Sequence, residues 1–404
     1  MSKTRKIKTY LVSAGVIGGT CLILVWFWPV LTTAARTDDQ IALEFDQALV
    51  TKNLGQAERL ARQFQRQAQA IDPRLPLIQA RLLIAEGREA EALKPLGSIS
   101  DQSPFAASAR LLSGQLYLKM NRLVPAEKAY LDAIRLDPAI VQARRELVYI
   151  YGIQLRRREL RTIFNQLSTI APMTFQNVFH WCLTRGNEWD PEEIVSDMTK
   201  FLAVDPDDRW SRIALARSLK KLVKLDEAEQ ALKPLAETDP DALAIKAQIA
   251  VDRNDPDQAR ALLAKGVEDH FDLAIMRAQI ALTDGNLAEA TRHFQIALKN
   301  DPDNRDAVVG LARSLAAQGL KTEAREWQEK ATKLDRLSSL IQEAARPTAT
   351  LDVTLPKRLA EGCESVGHIS EAKAWWGLIA ARDPLNQDAQ QALYRLGKSH
   401  QQAP

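Results

Sequence analysis

The sequence predicts an all-α protein: a solenoid of about ten helix-turn-helix hairpins standing behind one transmembrane helix. Three observations carry that expectation. Pro104, Pro138, Pro172, Pro206 and Pro240 recur at a constant step of 34 residues, and a period of that size belongs to a repeat array. From Thr9 to Ala35 there is no charged residue. The remainder is rich in Ala, Leu, Gln, Arg and Glu, with only 17 glycines in 404 residues, which is a helical vocabulary.

Length and composition narrow the classes. A chain of 404 residues exceeds one ordinary core, so several domains or an array are expected. At 46% hydrophobic and 26% charged it is neither disordered nor collagenous. The formal charge of +3 owes everything to Lys3, Arg5, Lys6 and Lys8; without them the chain carries about −1. Nucleic acid is therefore not an expected partner, because its binders need a basic surplus on the folded part. Cys21, Cys182 and Cys363 form no metal or disulfide pattern, and the last two read as small buried hydrophobes.

Residues 1–9 read as a basic cytoplasmic N-terminus. Tyr10 to Leu31 follow as a signal-anchor helix: 22 apolar or small residues at about 1.5 Å each span the roughly 30 Å hydrocarbon layer. Tyr10, Trp26 and Trp28 sit near its ends, where aromatic rings favour the interface, and the basic run before it places all that follows outside the cytoplasm. A cleaved signal peptide competes, since "TTAA" before Arg36 could be a cleavage site, but the apolar run exceeds the usual h-region. Cys21 lacks the aliphatic residue of an acylation box. Residues 32–39 are a linker.

The array itself is expected over 40–338. Asp-Pro occurs at Asp72, Asp137, Asp190, Asp205, Asp239, Asp255, Asp301 and Asp383. Proline excludes the helical conformation from the residue before it, so the dipeptide closes a helix, and polar residues after it can cap the next. Two small-residue columns run through the period. Gly114, Ala216, Ala247, Ala278, Ala312 and Ala360 form one; Ala92, Ala126, Ala228, Ala259, Ala290, Ala324 and Ala372 form the other. Small residues at a crossing let two antiparallel helices approach closely. Short turns such as "GREAEA", "GNLAEA" and "GHISEA" lie between the columns, with Gly suited to the end of the first helix.

On these residues the chain resembles the tetratricopeptide repeat. "SGQLYLKMNRLVPAEKAYLDAIRLDPA" matches through Gly114, Tyr117, Ala126, Tyr130, Ala133 and Pro138, and "LAEATRHFQIALKNDPDN" through Ala290, Phe294, Ala297 and Pro302. "LARSL" at 215–219 and 311–315, with "KAQIA" at 246–250 against "RAQIA" at 277–281, shows the duplication directly. The resemblance implies a right-handed superhelix. Its units are expected at 40–72, 73–106, 107–140, 141–174, 175–208, 209–242, 243–270 (shortened), 271–304, 305–338 and 353–386. An extended link over 339–352 precedes the last hairpin and its capping helix, together 353–400, and would let that module move separately.

In the family the first helices line a concave groove. The matching positions are Arg81, Gln115, Tyr149, Arg217, Gln248, Gln279 and Arg313. The three arginines suit carboxylates, although they can equally pair with nearby acids of the chain. They do not reproduce the family's Lys-Asn carboxylate clamp. Units 141–208 depart most from the pattern: Leu160 and Ile194 replace the central Ala, Val148 and Cys182 the small partner. Such bulk should widen the helix pair and bend the array. Arg144, Arg145, Arg156, Arg157, Arg158 and Arg161 stand there beside "FQNVFHWC": the residues favour a repacked core with a solvated charge run, and the other reading makes Phe179 and Trp181 candidate aromatic anchors rimmed by arginine. Of Trp375 and Trp376 one fills the consensus aromatic slot, leaving only the other for exposure.

No catalytic constellation is visible: five scattered histidines, no phosphate loop, no GxSxG or HExxH. An enzyme is not expected, nor a cofactor, a metal or a small-molecule substrate. The expectation is a membrane-anchored scaffold for protein-protein interaction outside the cytoplasm, on the periplasmic side in a bacterium, serving envelope assembly, secretion or polymer export. The alternative is an assembly factor or chaperone that captures peptide segments of exported clients, as in cytochrome maturation. Partners are other proteins or peptide segments, and the membrane through residues 10–31.

Overall fold

The computed structural model describes residues 37–68, 72–184 and 190–401. The basic N-terminus, the expected transmembrane segment 10–31 and most of the linker lie outside them. Among the described residues no helix is long and apolar enough to cross a membrane.

The chain is an all-α solenoid of 21 helices among the described residues. In chain order they pair as α1 (Asp38–Val50) with α2 (Leu54–Gln67), α3 (Leu75–Ala85) with α4 (Glu89–Gly97), α5 (Ala106–Lys119) with α6 (Leu123–Leu136), and α7 (Val141–Ile153) with α8 (Arg157–Ile170). Then come α9 (Phe175–Leu183) and α10 (Pro191–Val204), α11 (Arg209–Lys221) with α12 (Leu225–Leu232), and α13 (Pro240–Asp252) with α14 (Pro256–Ala264). The last are α15 (Phe271–Thr283) with α16 (Leu287–Asn300), α17 (Arg305–Ala317) with α18 (Lys321–Ala344), α19 (Leu355–Ser365) with α20 (Ile369–Arg382), and α21 (Gln387–Gln401).

The local chemistry explains the boundaries. The Asp-Pro pairs do two different jobs. Asp137, Asp205, Asp301 and Asp383 are non-helical residues that end α6, α10, α16 and α20, as the proline after each favours. Asp190, Asp239 and Asp255 instead start α10, α13 and α14: each carboxylate accepts backbone N–H bonds of the first turn, and the proline sits where no N–H is needed. Within the hairpins the turn needs one left-handed residue. Gly87, Gly285, Gly319 and Gly367 supply it at φ 77 to 83°, whereas Lys52, Asn121, Leu155, Val223 and Asn254 hold the same conformation without being glycine.

Both small-residue columns are buried where helices cross; Ala92, Ala126, Ala216, Ala228, Ala247, Ala259, Ala278, Ala290, Ala360 and Ala372 are all 0% exposed. A side chain of any size there would push the helices apart. Apolar clusters continue from one hairpin to the next, for example Tyr130 and Ala133 of α6 with Leu147 and Ile150 of α7, so the core is a ribbon running along the solenoid.

Three expectations are corrected. The bulky fifth unit is split: α9 scarcely touches α10, which packs on α11 and α7, while α9 packs on α18 and on α20, far later in the chain. Bulk at the crossing turns the helix out and gives its apolar face to another part of the array. Phe179 and Trp181 are accordingly core, the reading favoured by the sequence, and not anchors for a partner. Phe179 is buried in the cluster of Leu337, Ile341 and Trp375, and Trp181 stacks on Phe164 at 6.0 Å within the core of α7 and α8. Residues 339–352 are not an extended link either, because α18 runs on to Ala344 and a 3-10 turn, Ala349–Leu351, follows.

Neither tryptophan of the last hairpin is exposed. Trp376 fills the slot four residues after Ala372 and donates its indole N–H to Glu364 at 2.6 Å. Trp375 is the seam with α9: its Nε1 donates to Cys182 Sγ at 3.4 Å, and its ring meets Phe175 edge-on at 5.1 Å. The last module is thereby tied to the middle of the chain, not free to move apart from it.

Candidate partner-binding groove

Because the array curls back, residues far apart in sequence line one open cavity of about 670 Å³. One wall is the start of α8 with Arg157, Arg158 and Arg161. Another is α11 with Trp210, Arg217 and Lys220, backed by Asp241, Ile245 and Gln248 of α13. The far side is Asp269 to Asp272 before and at the start of α15, with Asn300, Asp301 and Asn304 between α16 and α17. The walls are joined across the curl: Arg158 donates to Asn300 Oδ1 at 3.4 Å, and Arg161 pairs with Asp301 at 3.4 Å.

Most cations here are already neutralised. Arg156, just before α8, bonds Glu127 at 2.7 Å and Glu159 at 3.1 Å, and lies over the rings of Tyr151 at 4.4 Å and Trp210 at 4.7 Å. Arg209 stacks on Trp210 at 4.4 Å and bonds Asp239 and Asp241, each at 2.6 Å. Arg217 bridges Asp241 at 2.9 Å and Asp272 at 2.7 Å, and Lys220 lies 3.3 Å from Asp252. Asp241 is the hub, 7% exposed and holding both arginines.

Arg157 stands apart. It has no hydrogen-bonded carboxylate among the described residues, and neither does Arg158, whose partner is an amide. The proton affinities follow the pairing. Burial would lower Arg156 and Arg209, but Glu127 in one case and Asp239 with Asp241 in the other raise them above the usual range. The Arg157 side chain is exposed, yet crowding by the cavity walls and then the charge of Arg217 lower it, and the charges of Asp272 and Asp301 do not compensate.

Of the candidate groove residues, only Arg217 and Gln248 line this cavity. Arg81 is committed to Asp46 and lies over the Phe45 ring at 5.8 Å. Gln115 is half-buried and outside the cavity; Arg145, Tyr149, Gln279 and Arg313 are exposed and also outside it. The arginine run at 156–161 was visible in the sequence. Its counterparts Trp210, Asp241, Asp272 and Asp301 were not, since nothing local links them to it.

Residues 213–270 and 275–338 match a family model described as a tetratricopeptide repeat, and residues 107–140 match a second so described. No curated protein matches the chain. Among solved structures it is similar to the Cut9–Hcn1 hetero-tetramer of APC/C, at 13% identity over 90% of this chain and 97% of that one, with a TM-score of 0.34. It is similar also to a human IFIT1 dimer with m7Gppp-AAAA, at 15% identity over 90% of this chain and 86% of that one, with a TM-score of 0.35.

Proposed function

The chain carries tetratricopeptide repeats over 107–140, 213–270 and 275–338, and from that premise we propose that it is a membrane-anchored scaffold whose curled solenoid binds other proteins outside the cytoplasm. The observation that carries the reading is the repeat array itself, whose stacked hairpins present long continuous faces to a partner. No catalytic family is indicated by the comparisons. The anchor rests on sequence: an uncharged run of membrane-spanning length behind a basic N-terminus. Envelope assembly, secretion and polymer export are the processes that such a topology serves.

Capture of a peptide segment is a second reading, and the cavity favours it. A concave, two-walled space of this kind can take an extended segment, whereas a folded partner needs a broad, flatter surface.

Site-specific photo-crosslinking in intact membranes tests the scaffold. A benzophenone side chain at Gln248 should trap a partner, while one at Val50, exposed on α1 and outside the cavity, should not. Adducts from Val50 alone would move binding off the groove. Protease added to spheroplasts should digest residues 40–404; their survival would overturn the topology.

A further inference from the structure

We propose that the curl is a clamp: the start of α8 and the corner between α16 and α17 form a polar gate that parts, and the apolar seam of α9 with α18 and α20 is the hinge on which it turns. The motion belongs to the chain itself and stands apart from the choice between a folded partner and a peptide.

Two seams close the curl, and they differ in kind. At the hinge, Val178, Phe179 and Cys182 of α9 are buried in one cluster with Leu337, Ile341 and Trp375, and α8 also packs on α20. Parting these would return their apolar surface to water, so this seam stays shut while the fold holds. At the gate, α8 meets α16 and α17 through polar side chains with little packing. Arg158 donates to Asn300 Oδ1 at 3.4 Å, and the Asn300 amide donates in turn to Asp269 Oδ1 at 3.0 Å. Arg161 pairs with Asp301 at 3.4 Å, and both side chains keep contact with water, 19% and 21% exposed. Polar contacts of that length, with solvent at hand, are weak.

Charge sets the resting position of the gate. Arg157, Arg158 and Arg161 line one side of it, and Asp269, Asp272 and Asp301 the other. Arg157 bonds none of these acids, yet Asp272 and Asp301 favour its charged form across the gap. Arg217 offsets part of that attraction, since it repels Arg157 and engages Asp272. Attraction across a gap has no fixed geometry, so it draws the walls together without locking them. A slender polar contact opposite a broad apolar one has the form of a hinge. The mouth of the cavity widens when α8 leaves Asn300 and Asp301, while Trp375 keeps α9 in place.

Pulsed electron double resonance on the full chain in detergent tests this, in a Cys21→Ser background where Cys182 and Cys363 are buried and stay unlabelled. Spin labels on Thr162→Cys and Lys299→Cys, exposed on either side of the gate, report opening; labels on Gln176→Cys and Arg382→Cys report the hinge. Arg161→Asp should set like charges face to face and raise the population at the longer gate distance by about 10-fold, and Asp301→Arg should do the same. The two reversals combined should restore the parent distribution. The hinge distance should stay constant throughout, and circular dichroism checks that each variant is folded. Gate distances that ignore both reversals, a folded double variant that stays open, or gate and hinge distances that lengthen together would overturn the clamp.

Discussion

The Tyr130 ring occupies the space into which a side chain on Gly114 would project: a Cβ built there would lie 2.5 Å from Tyr130 Cε1. The two residues belong to the facing helices α5 and α6, and Tyr130 is fully buried. Gly114→Ala should therefore force the ring aside and lower stability by about 1–3 kcal/mol, read as a lower urea midpoint. An unchanged midpoint would mean that the helices can part at no cost.

Tyr130 also buries a hydroxyl with no hydrogen-bond partner among the described residues. Burial, and then the charge of Glu146, push that phenol well above its ordinary range. Tyr130→Phe should preserve the packing and remove an unsatisfied group, so stability should hold or rise by up to about 1 kcal/mol. A fall of that size in thermal unfolding would reveal a water or partner on the hydroxyl.

Val223 is β-branched, exposed and held at φ 61° in the α11–α12 turn, where Gly87, Gly285, Gly319 and Gly367 stand in other hairpins. The left-handed conformation costs a branched residue about 1–2 kcal/mol, more than glycine's extra unfolded entropy. Val223→Gly should raise the unfolding midpoint by the equivalent of about 0.5–1 kcal/mol, and a lower midpoint would contradict the strain.

The Asp303 carboxyl couples acid stability to the inter-repeat seam. Burial pushes it up, but His368 at 3.0 Å and Lys330 at 3.1 Å outweigh that and hold it at about 2. A carboxyl depressed on folding stabilises above its unfolded value of 3.8, and the contribution is lost as pH falls from there toward 2. After allowance for its solvent contact this amounts to about 1–2 kcal/mol. Urea midpoints measured from pH 5 to 2 should fall less steeply in Asp303→Asn than in the parent; parallel slopes would remove Asp303 from the account.

Trp375 holds the last hairpin to α9 through Phe175 and Cys182. Trp375→Ala should cost about 3–5 kcal/mol as a large core truncation. It should also expose Cys182, now 2% exposed, to thiol reagents. Unaltered labelling kinetics would show that the seam closes without the indole.

Much of the fold was legible because a repeat writes its structure locally. The alanine columns, the glycine turns and the prolines each record a constraint within one hairpin, and a 34-residue period multiplies the signal. The candidate site was legible only in half. The arginines of 156–161 announced themselves as a like-charged run, yet pairing among Arg217, Asp241 and Asp272, and the interior place of Trp181, could not be read from spacing. The Asp-Pro pairs were ambiguous for a related reason: one dipeptide ends a helix at Asp137 and begins one at Asp239, according to which side of it has the helical run.

The sequence by itself determined a helical array and the position of nearly every turn, since these follow from propensity, capping and close packing between neighbours in the chain. Tertiary structure alone decided that α9 leaves α10 for α20, that Phe179 and Trp181 are core, and that the start of α8 shares a cavity with Asp272 and Asp301. The physical reason is curvature. Small departures in packing at each crossing add up along the solenoid, and only their sum brings α8 within reach of Asn300 and Asp301.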